Sequence, residues 1–258
     1  ATRVGVMYAG EIVEEAPRGA FFSAPRHPYT QKLFAALPDL ARRGGQLQTI
    51  PGQVPPLSAM PAGCRFAARC EHAWELCRQQ SPQWRQVAVD HRVRCHLEDG
   101  LASRGRDGGG VAAAGEALAV VAAAPALLAV DDLRVHFPIR RGILQRTVGH
   151  VRAVDGVSLA LARGRTLALV GESGCGKTTV GKAILQLLPA SGGSVRLLGE
   201  QLGGAASSPR RALRRHMQMI FQDPFASLNP RLSVGEIIAE GMRALAAGGP
   251  AAGRRATN

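Results

Sequence analysis

Aromatic residues, lysine and long apolar runs are scarce in this sequence of 258 residues. Phe, Trp and Tyr together make up 4% of it, and only three residues are Lys. The first residues lack the apolar core of a signal peptide. The most apolar stretch, residues 111–130, is mostly Ala and contains Glu116 and Pro125, so it is too weakly hydrophobic to predict a membrane span. These absences argue against a secreted or membrane-spanning protein, and we expect a soluble, cytoplasmic chain.

Acidic residues are few relative to basic ones. The sequence has 19 Asp and Glu against 32 Lys and Arg, which gives a formal net charge of +13. The Arg residues are scattered along the chain and do not form a stripe with interleaved aromatic residues, so we expect no nucleic-acid partner. The same charge suits docking at an anionic membrane surface. The hydrophobic content of 46% is enough for one large domain or two small ones.

One stretch organises the rest of the sequence: T-L-A-L-V-G-E-S-G-C-G-K-T-T-V, at residues 166–180. Residues 166–170 are apolar and β-favouring, and Gly171 starts a glycine-rich loop. Apolar residues from Val180 to Leu188 then recur at helical spacing. The pattern G-x-x-x-x-G-K-T between a strand and a helix is typical of a phosphate-binding loop. We therefore interpret this stretch as a nucleotide site and not as a surface turn.

The residue types of this loop suit phosphate chemistry. Gly171, Gly174 and Gly176 have no Cβ, so the backbone can wrap closely around phosphates and turn its N–H groups towards them. The helix N-terminus adds a positive dipole end. Lys177 is predicted to reach the β- and γ-phosphates, and the Thr178 hydroxyl is predicted to bind Mg²⁺. The predicted nucleotide contacts are Gly171, Glu172, Ser173, Gly174, Cys175, Gly176, Lys177, Thr178 and Thr179.

Four of the five cysteines lie close together in the first half, while the side chain of the fifth, Cys175, is interpreted as structural. Without a secretory signal we do not expect disulfides, which leaves a metal ion, a cluster or four unrelated thiols. Four thiolates suit Zn²⁺ or a [4Fe–4S] cluster equally by number, but zinc sites usually have closely spaced Cys pairs, so the wide spacing favours the cluster. Nearby His residues are alternative ligands. The four candidate ligands are Cys64, Cys70, Cys77 and Cys95.

In the first half, the pattern predicts few regular elements. Residues 3–15 contain two β-like runs separated by the turn signal Ala9-Gly10. Thr30 is predicted to cap a short helix. The Pro-rich residues 50–57 can be neither regular helix nor central strand.

In the second half, a Gly/Ala-rich tether over residues 99–126 precedes a new domain that begins near Leu127. Residues 192–199 are predicted to form a hairpin or an edge strand. The apolar run at residues 217–221 is predicted to be a buried strand. Ser233 is predicted to cap the last helix.

Three segments of the second half resemble the ATP-binding subunits of ABC transporters. They are V-D-G-V-S-L, G-E-S-G-C-G-K-T-T and M-I-F-Q-D-P-F-A-S-L-N-P-R, and all fit the oligopeptide/dipeptide (and nickel, glutathione) importer branch. The resemblance implies an α/β P-loop NTPase fold of the ABC type with a mixed sheet. It also implies a catalytic role for Gln222, as the glutamine that helps hold Mg²⁺ and the attacking water.

The first half resembles the far end of the same kind of domain. V-M-Y-A-G-E-I-V-E, R-H-P-Y-T-Q-K-L and the cysteine region are similar to this branch's C-terminal extension, where some members hold a [4Fe–4S] cluster. A domain end then precedes a domain start, as in members with two fused ATPase domains. The implied organisation is the end of a first ABC domain (1–45), a four-Cys extension (46–98), a linker (99–126), the start of a second ABC domain (127–248) and a disordered tail (249–258).

Several parts of the family pattern are missing from the sequence. It has no L-S-G-G-Q-type signature, no apolar strand ending in Asp-Glu after Gln222, and no switch His. Because phosphoryl transfer depends on positioned charges and a water-orienting group, we expect the chain to bind nucleotide but not to hydrolyse it alone.

The resemblance implies part of an ATP-binding subunit that couples Mg·ATP hydrolysis to the import of peptides or related small solutes. Its implied partners are integral membrane permease subunits, a second ABC ATPase domain and, indirectly, an extracytoplasmic solute-binding protein. The implied location is the cytoplasmic face of the cell membrane. Two alternatives are a metal- or iron–sulfur-binding interaction module with a vestigial nucleotide site, and a zinc-bearing ABC-type ATPase acting on DNA.

Overall fold

The computed structural model describes residues 1–37, 49–98, 126–142, 145–202, 213, 216–221, 223 and 228–246. The chain divides into two compact units, Ala1–Gln201 and Leu202–Asn258. Among the described residues, no helix is long and apolar enough to cross a membrane.

A five-stranded mixed sheet forms the centre of the first unit. It contains β1 (Arg3–Tyr8), β2 (Glu11–Pro17), β3 (Trp84–Ala88), β4 (His91–Arg94) and β7 (Leu167–Val170), in the order β3-β4-β2-β1-β7. The pairing of β1 with β7 is parallel, whereas the other pairs are antiparallel. The predicted α/β architecture with a mixed sheet is therefore confirmed.

The hairpin predicted near the N-terminus is confirmed as β1 and β2. Its turn residues Ala9 and Gly10 both have positive φ, 44° and 88°. Two left-handed residues in a two-residue turn match the right-handed twist of the paired strands.

The second sheet of this unit has four strands, in the order β6-β5-β8-β9. A long antiparallel pair, β5 (Ala126–Arg141) and β6 (Arg146–Ala162), carries β8 (Gly192–Leu197) and then β9 (Glu200–Leu202) at its edge. The turn between β8 and β9 again has two residues with positive φ, Leu198 and Gly199. The predicted hairpin at residues 192–199 is thus present, with β9 as the edge strand.

The helices of the first unit are short. They are α1 (Arg18–Ser23), α2 (Pro28–Ala35), α3 (Glu75–Gln79) and α4 (Lys177–Ile184), with a 3₁₀ turn at Ala67–Arg69. In the second unit, α5 spans Val234–Ala246. Ser233 caps it as predicted: the Ser233 N–H donates to Glu236 Oε2 over 2.8 Å, and the Glu236 N–H donates to Ser233 Oγ over 3.4 Å. This is a reciprocal capping box.

The scarce aromatic residues are concentrated in the core between β1 and the cysteine-bearing segment. Tyr8 of β1 contacts Tyr29 of α2 and Phe66, with ring centroids 4.6 Å and 5.3 Å away. All three rings are fully or almost fully buried. Residues predicted to be an extension therefore share one hydrophobic core with the first hairpin.

A buried carboxylate on β2 fixes the chain just before α2. Glu14 is completely buried. Its oxygens accept hydrogen bonds from the Arg26 and His27 N–H groups over 2.8 Å and 2.9 Å. The ring Nε2 of His91, on β4, lies 2.7 Å from Glu14 Oε1. The sequence E-I-V-E-E of β2 does not predict this burial, because its Glu residues would be expected on an exposed face of the strand.

Two local predictions were wrong. Residues 217–221 belong to no strand, and Ile220 is 97% exposed. An apolar run forms a strand only beside a partner strand, and neither described sheet supplies one. Thr30 does not cap α2. Because Pro28 suits the first helical position, the helix begins there, and the cap is His27, whose Nδ1 accepts from the Tyr29 N–H over 3.1 Å.

The Pro-rich residues 50–57 contain no helix or strand, as predicted. The predicted linker, the disordered tail and the predicted domain boundaries fall within the undescribed stretches or at their edges. The proposed domain division therefore stays a prediction.

Candidate functional site

The glycine-rich loop joins β7 to α4, in the predicted order of strand, loop and helix. β7 is held in register by β1, with Arg3 opposite Leu167 and Val6 opposite Val170. The strand ends at Val170 and the helix begins at Lys177. The loop is therefore anchored at both ends by regular structure.

Two of its glycines are required by close packing, and the third faces open space. A Cβ at Gly171 would lie 2.1 Å from the Met7 carbonyl oxygen, and one at Gly176 would lie 2.3 Å from that of Ala153. Both glycines also have positive φ, 151° and 107°. Gly174 has a φ of 80°, and a Cβ there would meet nothing within 4 Å. The loop thus packs against β1 and β6 on one side and leaves its middle accessible.

Lys177 lies across this loop. Its Nζ donates to the carbonyl oxygens of Gly171 and Glu172, both over 2.8 Å, and lies 3.4 Å from Cys175 Sγ. These are neutral acceptors, so a phosphate oxygen, which forms stronger charge-assisted hydrogen bonds, can compete for the ammonium group.

The N-terminus of α4 is free of a side-chain cap. Gly176 occupies the N-cap position, and no side chain in the described structure caps the helix there. The first N–H groups of a helix have no intrahelical acceptor, and together with the helix dipole they favour an anion. The Thr178 side chain, in the first turn, is exposed. This end of the helix can therefore bind phosphate, with a hydroxyl available for a cation.

Cys175 differs from its neighbours in the loop. It is 1% exposed, and its carbonyl oxygen accepts from the Gly10 N–H over 3.0 Å. These contacts agree with a structural side chain. The nine predicted nucleotide contacts lie together because they are consecutive in sequence, and their contact with nucleotide stays a prediction. Gln222, the predicted catalytic and magnesium-binding glutamine, lies outside the described residues.

Sequence reasoning missed two residues that hold the loop at Glu172. Arg69 donates from two nitrogens to the Glu172 carboxylate over 2.7 Å and 3.0 Å. The Glu172 N–H donates to the Tyr29 hydroxyl over 2.9 Å. Hydrogen bonds to Glu172 raise the pKa of Arg69 above its already high ordinary value. No local signal marks these partners, since both are far from the loop in sequence.

The four clustered cysteines line one small cavity, together with other side chains of the same region. The lining includes Phe66, Trp74, His27, His96, Cys64, Cys70, Cys77 and Cys95. All four thiols are free. Burial raises the pKa of Cys64 to about 11 and that of Cys95 to about 12, and it also raises the pKa of Cys70. In the described ranges, no three Cys, His, Asp or Glu side chains are grouped closely enough to hold a single metal ion.

His27 gives this cavity an unsatisfied polar group. It is 1% exposed, and its Nε2 has no hydrogen-bond partner in the described structure. Burial lowers the pKa of His27 to about 4, although Glu14 and the Arg94 carbonyl oppose that effect. The carbonyl does not reach hydrogen-bond geometry with Nε2. The ring is therefore neutral at pH 7, and with Nδ1 acting as an acceptor it carries its hydrogen on Nε2.

Two separate parts of the chain match known protein families. Residues 13–77 match the family described as the oligopeptide/dipeptide transporter C-terminal region. Residues 154–257 match the ABC transporter family.

Relatives match nearly the whole chain. It is 40% identical over 253 residues to the oligopeptide transport ATP-binding protein OppD of Mycobacterium tuberculosis, covering 95% of this chain and 40% of that protein. It is 36% identical over 243 residues to the glutathione import ATP-binding protein GsiA of Escherichia coli K12, covering 94% of this chain and 31% of that protein. The chain thus spans less than half the length of these curated relatives.

Among solved structures, cbiO1 of Clostridium perfringens, part of the ABC transporter complex cbiONQ, overlaps 46% of this chain and 49% of its own. The TM-score is 0.32 and the identity is 22%. The sequence matches confirm the resemblance: one segment of the chain is similar to the oligopeptide/dipeptide transporter C-terminal region and another to the ABC transporter family. Over most of its length the chain is similar to the ATP-binding proteins OppD and GsiA.

Proposed function

We propose that residues 171–179 bind the phosphates of Mg·ATP, and that the chain is part of the ATP-binding subunit of an importer for peptides or related small solutes. The observation that carries the proposal is the position of Lys177, whose ammonium lies across an open glycine loop at an uncapped helix N-terminus. The half-buried ammonium at this anion-favouring end of the helix is positioned to meet phosphate oxygens.

Binding exchanges one set of contacts for another. The Lys177 ammonium leaves the Gly171 and Glu172 carbonyls for the phosphates. The free N–H groups at the start of α4 bind the same oxygens, and the Thr178 hydroxyl takes a place in the Mg²⁺ coordination shell. Gln222 joins that shell and orients the attacking water. The loop is already held by β1 and β6, so little reorganisation is needed.

Hydrolysis requires groups that this sequence does not contain. The L-S-G-G-Q-type signature and the Asp-Glu pair are absent from its 258 residues. We propose that a second ABC ATPase domain supplies the facing signature and that permease subunits at the cytoplasmic face of the membrane use the resulting motion. A solute-binding protein outside the membrane then acts only indirectly. The module with a vestigial nucleotide site is not supported, because the matches cover the ABC segment as well as the cysteine segment.

A binding titration with a fluorescent, non-hydrolysable ATP analogue tests the nucleotide site. Removing a hydrogen bond to a charged group costs about 1.5–3 kcal/mol, so Lys177→Ala is expected to weaken binding about 10- to 100-fold. Lys182→Ala, on the same helix, is the matched control and leaves binding unchanged. Equal affinity of Lys177→Ala and the wild type would refute the nucleotide site.

We further propose that the cavity between α2 and β4 holds a [4Fe–4S] cluster on Cys64, Cys70, Cys77 and Cys95. The donor set fits: four free thiols line one cavity with a buried N–H that lacks an acceptor. The wide spacing of the four cysteines in the sequence favours a cluster over a single Zn²⁺. A bound cluster supplies a redox-active, rigid cross-link between these segments.

Anaerobic reconstitution with iron and sulfide tests this second proposal. The expected product is brown and contains iron and sulfide in equal amounts. A Cys64→Ser variant is expected to lose the colour, whereas Cys175→Ser keeps it. A colourless chain that binds one Zn²⁺ instead would contradict the cluster.

A further inference from the structure

Two side chains from the first half of the sequence hold the phosphate loop at Glu172: Arg69, in the cysteine-bearing segment (residues 64–95), and Tyr29, in α2. Arg69 holds its carboxylate through two hydrogen bonds, and Tyr29 accepts its N–H. The Glu172 carbonyl oxygen is at the same time an acceptor for Lys177. Every polar group of Glu172 is thus engaged, and two of its three groups, the carboxylate and the N–H, are held by Arg69 and Tyr29.

The Arg69 side chain is buried and fully hydrogen-bonded, so it is not a mobile surface group. Its side chain is 4% exposed. Its remaining donors go to the Pro51 and Ile50 carbonyl oxygens, over 2.9 Å and 3.2 Å, and to the Tyr8 hydroxyl over 3.3 Å. A guanidinium fixed on all its donors orients the carboxylate that it binds, because its geometry is a planar fork.

Tyr29 is held equally firmly. It is completely buried, and its ring packs against Tyr8 and Phe66. Its hydroxyl therefore stands at a fixed point, 2.9 Å from the Glu172 nitrogen. Desolvation keeps this hydroxyl protonated, since burial raises the pKa of Tyr29.

Both holding residues adjoin the cysteine cavity along the chain. Arg69 precedes Cys70, and Tyr29 follows Pro28; Cys70 and Pro28 both line the cavity. A displacement of either lining residue therefore moves a group that holds Glu172. Two sites joined by such a rigid connection bias each other's stability equally.

We propose that Arg69 and Tyr29 are positioning residues for the phosphate loop, and that through Glu172 they couple nucleotide binding to the local stability of the cysteine segment. The inference rests on the proposed nucleotide site. It assigns the cysteine-bearing segment a direct effect on nucleotide affinity, whether or not the cavity is filled.

Titration of the metal-free, reduced 258-residue chain with the ATP analogue is the first test. Arg69→Gln and Tyr29→Phe are expected to weaken binding about fivefold or more. Arg78→Gln is the matched control, since Arg78 lies in the same segment with a side chain that is 62% exposed. If Arg69 and Glu172 act through one contact, the Arg69→Gln/Glu172→Gln double variant loses no more nucleotide affinity than whichever single variant binds more weakly. Additive losses, or unchanged affinity of Arg69→Gln, overturn the proposal.

A second readout separates positioning from a general loss of stability. Alkylation of Cys70 by N-ethylmaleimide, followed by peptide mass spectrometry, is expected to slow about fivefold when the analogue is bound. The slowing is expected to disappear in Arg69→Gln at analogue concentrations that saturate it. If the analogue binds but Cys70 reacts equally fast with and without it, the coupling is absent. If the wild type does not bind the analogue at all, the proposed nucleotide site itself fails.

Discussion

The glycine-rich loop and the cysteine cavity are built in opposite ways. The loop consists of consecutive residues between β7 and α4, and its geometry follows from glycines and a helix start. The cavity is assembled from α2, the 3₁₀ turn, α3 and the end of β4. Local sequence thus specifies the first site almost completely, while the second depends on long-range packing.

The difference has a physical consequence for stability. A site built on local backbone geometry is sensitive to changes in that backbone. A site built on packing is sensitive to the buried groups that bring distant segments together.

The largest effect is expected from Glu14→Ala. The substitution leaves the buried His91 ring, the buried His27 N–H and the half-buried Arg26 N–H without their shared acceptor. Breaking such a buried set is expected to lower the free energy of unfolding by about 3–5 kcal/mol. Urea denaturation measures this, with Glu71→Ala at an exposed site as the control. A loss below about 1 kcal/mol, the range of an exposed pair, would show that the cavity does not depend on this contact.

A comparable test on the loop is Gly176→Ala. The new Cβ meets the Ala153 carbonyl at 2.3 Å and takes a positive φ, so we expect a loss of about 2–3 kcal/mol. Gly181→Ala lies within α4, where a Cβ meets nothing within 4 Å, and is expected to be neutral or stabilising. Equal stability of the two variants would contradict the close packing of the loop.

His27 gives a pH test of the cavity. Because burial lowers its pKa to about 4, the unfolded chain, with an ordinary His pKa of about 6.5, binds the proton more readily. Stability from this residue is complete above about pH 6.5 and falls as the pH drops towards 4. Between pH 7 and pH 5 the expected loss is about 2 kcal/mol. Urea denaturation of His27→Gln at both pH values is expected to show a correspondingly smaller change, whereas the exposed His72→Gln behaves as wild type.

The smallest effect concerns the second unit, where structure is encoded locally. Ser233→Ala removes the acceptor for the Glu236 N–H and is expected to cost α5 about 1 kcal/mol. Amide hydrogen exchange over residues 234–240 is expected to accelerate about fivefold. Ser233→Thr preserves the hydroxyl and the slower exchange. No acceleration in Ser233→Ala would indicate that the capping box does not hold the helix.

The sequence supports prediction wherever backbone chemistry alone determines the structure. The loop with its flanking strand and helix, the two hairpins with Gly10 and Gly199 in their turns, and the Ser233 cap all depend on neighbouring residues. The strand predicted at residues 217–221 was wrong because strand formation depends on a partner elsewhere. The hydrogen bonds of Arg69 and Tyr29 to Glu172 join residues that are far apart in sequence. No local pattern predicts them, and they are seen only in the folded chain.

The response of the loop amides to nucleotide tests the proposed phosphate site directly. Backbone amide NMR spectra of the 258-residue chain, recorded with Mg²⁺ and a non-hydrolysable ATP analogue, report each N–H group separately. We expect the largest shifts at residues 174–179, and we expect them to vanish in Lys177→Ala. Unshifted loop amides in the presence of bound analogue would contradict the proposal that this loop holds the phosphates.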